Sequence, residues 1–260
     1  MSRAGKEWGD ALAAWAIPEE ILAQAPSNPW VHPPKLFRAS DDDPADTPSM
    51  QAAAAFLRDG GSLLDVGCGG GRSSLPLGPR LVTAVIGVDE QQAMLDQFAV
   101  AAAARGIASK GILGRWPDAS PLTPAADVVV SHHVVYNVSA IDPFVESLST
   151  HARRGVVVEL PDRHPTAPFN QLWKRFWNLE RPTEPSAELF VEVVRAAGFE
   201  PTRIDSVRPP RKEQLDAEEF IAFVRQRLCL STDRDSEIAD AIKTDFAADA
   251  TSIVTVSWQT

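Results

Sequence analysis

Short runs of consecutive apolar residues, each followed by a helical stretch, recur along most of the chain, as in Leu63-Leu64-Asp65-Val66 and Asp127-Val128-Val129-Val130. A strand that is apolar at nearly every position has no face to give to water, so it must be covered on both sides. Alternation of such strands with helices specifies an α/β fold, a mostly parallel sheet between two helical layers. Seven strands are expected, over residues 62–66, 82–88, 112–113, 127–130, 156–158, 202–207 and 252–258. Helices are expected over 49–58, about 90–105, 142–151 and 186–197, the last closed by Gly198 as a C-cap. Two amphipathic helices, at about 213–229 and 233–246, precede the final strand, and no crossover helix follows it. That strand is therefore expected to enter the sheet antiparallel. With 260 residues the chain suits one large domain with decorations. The main domain is placed at 49–260, with a helical insertion at about 211–248. Residues 1–48 are expected to form an N-terminal helical extension, either a cap over the main domain or a stabilising arm. Trp8, Leu12 and Trp15 have helical spacing there, Pro18-Glu19-Glu20 starts a second helix, and a proline-rich stretch holds three aspartates at 41–43.

Directly after the first strand comes Asp65-Val66-Gly67-Cys68-Gly69-Gly70-Gly71. A turn this tight needs positive φ and close backbone approach to a ligand, which glycine supplies without a Cβ clash. Asp89 ends the second strand, 20 residues beyond Gly69, where a carboxylate can accept both ribose hydroxyls of a nucleotide-like cofactor. Together these place an adenosyl cofactor in the crevice at the carboxyl ends of the strands. The dinucleotide fingerprint G-x-G-x-x-G requires glycine at position 72, where this chain has Arg72.

The pattern present, D-x-G-x-G-x-G within LLDVGCGGG, resembles that of the class I, Rossmann-like S-adenosylmethionine (SAM)-dependent methyltransferases. The resemblance covers roughly residues 50–210 plus the final strand. It implies a Rossmann-like three-layer sandwich with an antiparallel last strand, SAM as cofactor, and methyl transfer to an O or N atom of a small-molecule acceptor. It also implies that Gly67, Gly69 and Gly71 pack against the methionine part of SAM, that Asp65 contacts the methionine end, and that Asp89 holds the ribose. Met94 is similar in place to an adenine-approaching residue, with core packing in the following helix as the alternative. Trp116 and Asp118, after strand three, fall where the family contacts adenine, Trp116 on the ring face and Asp118 on the exocyclic amine. Strand four ends in Ser131-His132-His133-Val134, where the family lines the space between sulfonium and acceptor. Ser131 and His132 are therefore cofactor-facing candidates, and His133, one residue on, is expected to face differently.

A base is needed only if the acceptor is protonated at working pH, and histidine is the default group for that task. His132 and His133 are the first candidates for base or acceptor-orienting group. Glu159, at the end of strand five, is the second, the alternative being a salt bridge to Arg153 or Arg163. No Cys, His, Asp or Glu at ligand spacing accompanies the histidine pair, so no metal is expected. Trp173, Phe176 and Trp177 share one helix face. They pack in a core or, if they overhang the crevice, make a wall for an aromatic or lipophilic acceptor.

A non-catalytic SAM-binding module and an NAD(P)-dependent oxidoreductase are the rival readings. The short-chain oxidoreductases need Tyr-x-x-x-Lys, and the only tyrosine, Tyr136, has alanine at position 140. A net charge of −10 argues against a nucleic-acid partner, and strand four lacks the Asn/Asp-Pro-Pro-Tyr/Phe tetrapeptide of many amino-methylating nucleic-acid enzymes. Two distant cysteines, the absence of a leader-like apolar core and the lack of any membrane-length apolar run lead to the expectation of a soluble, cytoplasmic protein. Whether the insertion at 211–248 forms a lid or a homodimer contact stays open.

Overall fold

The computed structural model describes residues 1–31, 46–58, 60–208, 215–246 and 251–260. The aspartates 41–43 and the expected start of the insertion near 211 lie outside them. Helices α1 (Arg3–Ala13) and α2 (Glu19–Leu22) come first, then α3 (Pro48–Leu57) and the strand β1 (Gly61–Val66). The alternation continues through β2 (Val82–Asp89), α4 (Gln92–Ala104), β3 (Ala108–Leu113), β4 (Ala126–His132), α5 (Ile141–His151) and β5 (Ala152–Pro161). Helices α6 (Asn170–Trp177) and α7 (Ala187–Ala196) lead to β6 (Thr202–Arg208), and α8 (Ala217–Arg227) and α9 (Asp235–Asp245) to β7 (Thr251–Gln259).

The seven strands form one sheet in the order β3-β2-β1-β4-β5-β7-β6. Pairings among β1 to β5 are parallel, and β7 inserts antiparallel between β5 and β6. Side chains alternate along each strand, so the two faces carry different sets. Leu63, Val128, Val130 and Val157 meet Ala53 and Leu57 of α3 and Phe98 of α4. Leu64, Val129, Val156, Val158 and Trp258 meet α1, α5 and α7 through Trp8, Phe144, Leu148, Phe190 and Val194.

Helix ends are set by local chemistry. The Thr47 side chain accepts from Met50 N, with Pro48 in the first turn of α3. Asp216 and Glu219 form a reciprocal capping box on α8. Gly198, at φ +90°, follows the last turn of α7, as its sequence position led us to expect.

The N-terminal segment divides between two packing environments. Helix α1 joins the layer on α5 and α7, whereas Ile17 and Ile21 enter a separate helical cluster. That cluster takes in Leu172 and Trp173 of α6, Val224 and Leu228 near α8, and Ile238 of α9. Trp173 is buried, Phe176 and Trp177 are half-buried against the same cluster, and Trp177 Nε1 donates to the Leu228 carbonyl at 2.7 Å. These three aromatics thus pack a core, the first of the two alternatives open at the sequence level. No helix among the described residues is long and apolar enough to cross a membrane.

Candidate functional site

The loop after β1 folds over the end of β2. Gly67 N and Cys68 N both donate to the Val88 carbonyl, at 2.8 and 3.1 Å. Gly67, Gly69 and Gly71 all have positive φ, at +72°, +49° and +93°, which explains the spacing of the three glycines. A Cβ on Gly67 would lie 2.4 Å from Val134 Cγ2, and one on Gly71 would lie 2.3 Å from Leu75 Cδ1. Asp89 receives the loop: its Oδ2 accepts from Gly69 N and its Oδ1 from Gln91 N, each at 3.0 Å. The carboxylate is half-buried, and those two bonds use about half of its roughly four acceptor sites.

Asp65 lies fully buried beneath the loop. It accepts from Ser73 Oγ at 2.7 Å and from Ser74 Oγ at 2.6 Å. Burial pushes its carboxyl up to about 6, against the pull of the two serine hydrogen bonds. Neither serine was singled out in the sequence. Their place within one turn of the third glycine was the available signal.

A second cluster forms where β4 and β5 end. Ser131 Oγ donates to the Val66 carbonyl at 3.0 Å, tying β4 to the start of the glycine loop. His132 stands opposite Glu159 in register, with Nδ1 4.0 Å from Glu159 Oε1. Burial lowers His132 to about 4, so the ring is neutral near pH 7, and its buried Nε2 has no hydrogen-bond partner. His133, expected to face differently from His132, adopts φ +61°, donates its N–H to the Glu159 carbonyl at 2.7 Å, and brings Nε2 to 3.1 Å from Glu159 Oε1. The strand ends at His132, so strict alternation no longer governs the next side chain.

Glu159 is the hub of this cluster and is 2% exposed. Arg208 Nη2, at the end of β6, lies 2.7 Å from Oε1, and Ser49 Oγ, in the first turn of α3, donates to Oε2 at 2.5 Å. Burial opposes its charge. The two histidines, with His133 hydrogen-bonded to it, and the Arg208 guanidinium outweigh that opposition and hold the carboxyl well below the usual carboxylate range. The basic partners weighed from the sequence go elsewhere. Arg153 lies 3.8 Å from Asp127, and Arg163 donates to the Thr183 carbonyl at 3.5 Å. Arg208 and Ser49 were missed because they meet Glu159 only through the sheet order and the seating of α3.

The remaining candidates are spread out. Met94 is buried on α4, and Asp118 is exposed after β3. Trp116 is buried with its ring edge-on to His151, 4.9 Å between centroids. His151 ends α5 beside the first residue of β5, the end of the strand opposite Glu159, so Trp116 reaches toward the amino edge of the sheet.

Residues 44–204 match the profile of a family described as a methyltransferase domain. The chain belongs to this family and is a class I, Rossmann-like SAM-dependent methyltransferase. Its cofactor is S-adenosylmethionine. Among solved structures, it is similar to a cyclopropane-fatty-acyl-phospholipid synthase-like protein from Lactobacillus casei, at 17% identity over 98% of this chain and 100% of that one, TM-score 0.55. It is also similar to the [4+2]-cyclase SpnF, at 18% identity over 99% and 94% of the two chains, TM-score 0.54. A third is magnesium protoporphyrin IX methyltransferase from Synechocystis with bound SAH, at 16% identity over 82% and 81%, TM-score 0.50. At such identities the likeness is one of fold. No curated protein matches the sequence.

Proposed function

We propose that the crevice over the carboxyl ends of β1, β2 and β4 holds SAM, and that the acceptor, a small molecule methylated on O or N, approaches from the side of His133. The observation that carries this reading is the glycine loop bonded to Asp89. Three positive-φ glycines leave backbone alone along the loop, and Asp89 keeps unused acceptor sites for a ribose diol. Asp65 sets the floor of the methionine side through Ser73 and Ser74. Met94 and Asp118 remain with the adenine side in this proposal, whereas Trp116, packed on His151, serves the core.

When bound, the cofactor supplies an electrophilic methyl group on a sulfonium. The chain's own task is then to orient the acceptor, exclude water and take a proton where the acceptor carries one. The buried neutral ring of His132 suits orientation rather than proton uptake. His133 suits proton uptake: its Nε2 lies 3.1 Å from Glu159 Oε1 and 3.4 Å from Arg208 Nη1, and in the tautomer that gives Nε2–H to Glu159 the Nδ1 lone pair is left for the acceptor, on a side chain that is 40% exposed. Glu159 orients that ring and stabilises the imidazolium. The division of the chain into an N-terminal helical extension at 1–48, packed on the main domain, and a catalytic domain at 49–260 is part of the same proposal.

Calorimetric titration with S-adenosylhomocysteine (SAH) tests the cofactor side. Micromolar-range binding, about −8 kcal/mol, is expected for the native chain, with at least a ~100-fold loss, about 2.7 kcal/mol, for Asp89→Ala. Equal affinity in the two proteins would remove Asp89 from the site. On the acceptor side, His133→Ala is expected to lower kcat by roughly 10²–10⁴ while leaving SAH affinity unchanged.

A further inference from the structure

The partners of Glu159 come from α3, β6 and the end of β4, and they divide between its two oxygens. Ser49 Oγ donates to Oε2 at 2.5 Å, with Thr47 Oγ1 3.0 Å from that hydroxyl. Two basic side chains share Oε1, Arg208 Nη2 at 2.7 Å and His133 Nε2 at 3.1 Å. The other guanidinium nitrogen, Arg208 Nη1, stands 3.4 Å from the same His133 Nε2. His132 Nδ1 is further from Oε1, at 4.0 Å. Thr255, opposite Glu159 on β7, is buried and carries no charge, and the start of α3 brings only the hydroxyls of Thr47 and Ser49. Among the described residues, the charged or titratable groups that meet the His133 ring are therefore Glu159 of β5 and Arg208 of β6, with His132 of β4 beside them.

A buried carboxylate beside an imidazole favours the imidazolium, since the opposite charge offsets the desolvation of the carboxylate. An imidazolium has no lone pair and takes no proton from an acceptor. Arg208 counters this bias in two ways. A guanidinium stays charged wherever a histidine titrates, so it supplies positive charge at Oε1 without drawing a proton onto the ring. Its Nη1, beside Nε2, also makes a second positive charge there unfavourable. The same guanidinium opposes protonation of the neighbouring His132. We propose that Arg208 is a positioning residue for His133: it meets the charge of Glu159 in place of an imidazolium, so that the carboxylate orients the ring while leaving it neutral. The imidazolium then arises only when the acceptor gives up its proton. This inference rests on the reading of His133 as the base. Ser49 completes the arrangement by fixing the second oxygen, which keeps Oε1 turned to Arg208 and His133.

The test is NMR of the full chain near pH 7, labelled at the histidine ring carbons, with neither cofactor nor acceptor present. His133 is identified by the signal that His133→Asn removes, and His151, beside the first residue of β5, serves as the reference. In the native chain the His133 signal is expected at the neutral-imidazole position. Arg208→Gln is expected to move it toward the imidazolium position, with roughly half of the rings or more protonated. Arg208→Lys, which keeps the charge, is expected to hold it near the native position. Adding Glu159→Gln to Arg208→Gln is expected to return the ring to the neutral form, a reversal that a merely structural role for Arg208 would not produce. If Arg208→Gln fails to fold, Arg208→Met, which keeps the aliphatic stem, carries the same measurement. A native ring already in the imidazolium form, or a ring that stays neutral without the Arg208 charge, overturns the proposal. Failure of the base assignment shows separately, as an unchanged kcat in His133→Ala.

Discussion

His132 and His133 are neighbours in sequence and lie beside the same carboxylate, but the first ring is buried and the second is 40% exposed. Burial holds His132 at about 4, and His164, stacked at 4.0 Å on Trp15, is lowered to about 4 for the same reason. Both rings take up protons near their ordinary pKa once the chain unfolds, so between pH 6.5 and 4 the unfolded state binds more protons. Stability is therefore present above pH 6.5 and lost as pH falls toward 4, on the order of 3 kcal/mol for each ring. Asp65 acts in the opposite sense. Its folded pKa of about 6 lies above the unfolded value, so the folded state gains protons first and stability rises as pH falls through 6. Glu159, held low in the fold, adds to the acid loss once its unfolded counterpart protonates, below about pH 4.3. Two histidines against one aspartate leave a net loss on acidification. Urea unfolding at several pH values is expected to show it, with His132→Asn reducing the loss between pH 6.5 and 4 by on the order of 3 kcal/mol. An unchanged pH slope in that variant would mean that His132 is not held neutral. None of this was legible from the sequence. A histidine pair at a strand end announces chemistry, but the carboxylate between the rings takes its other partners, Ser49 and Arg208, from α3 and β6, far away in sequence.

The elements were more legible than their meeting points. Each expected strand exists, because an apolar run that must be covered on both faces has few alternatives. The expected span at 112–113 proved too short, since β3 covers Ala108–Leu113 and is an edge strand whose polar Ser109 and Lys110 hide its pattern. The antiparallel entry of β7 was expected of a strand reached after a long helical excursion. Its place between β5 and β6 was not, and that place is what brings Arg208 across to Glu159. Likewise the glycine loop was readable, while its tight seat against the chain after β4 was not. Gly67 has φ +72°, and a Cβ there would meet Val134 Cγ2 at 2.4 Å. Gly67→Ala is therefore expected to lower Tm and weaken SAH binding through two separable causes: backbone strain of about 1–2 kcal/mol and the clash with Val134. Adding Val134→Ala removes the clash but not the strain, so the double variant should recover part of the lost Tm. A purely additive double-mutant cycle would show that the loop and the chain after β4 do not press on each other.

At the scale of the whole molecule, the question is whether the first 48 residues are a detachable cap. Packing argues that α1 is a working part of one helical layer. Trp8 is fully buried, donates Nε1 to the Val138 carbonyl at 2.9 Å, and packs its ring on Tyr136 at 5.4 Å and on Phe190 at 5.9 Å. Ser2 closes the same contact from the other side, its Oγ donating to Asp142 Oδ1 at 2.8 Å while accepting from Gly5 N at 2.9 Å. Further along, Arg181 holds the carbonyls of Trp15 and Ala16, so the segment leaving α1 is fixed to the helical cluster as well. A cap that merely covered the crevice would have its strongest contacts at the carboxyl edge of the sheet and few with α5 and α7. Trp8→Ala distinguishes the two arrangements. Removing a fully buried indole costs about 3–5 kcal/mol, which for a chain of this size lowers Tm by roughly 10 °C. Affinity of the folded protein for SAH is expected to stay within about three-fold, since Trp8 touches none of the residues assigned to the cofactor. Calorimetric unfolding, paired with SAH titration below the transition, reads both quantities. A Tm within about 2 °C of the native value, with SAH affinity lost, would instead make α1 a cap over the site. The expected pattern, lost stability with retained affinity, makes the N-terminal helix a structural layer on which the loop after β4, and with it Tyr136, is held in place.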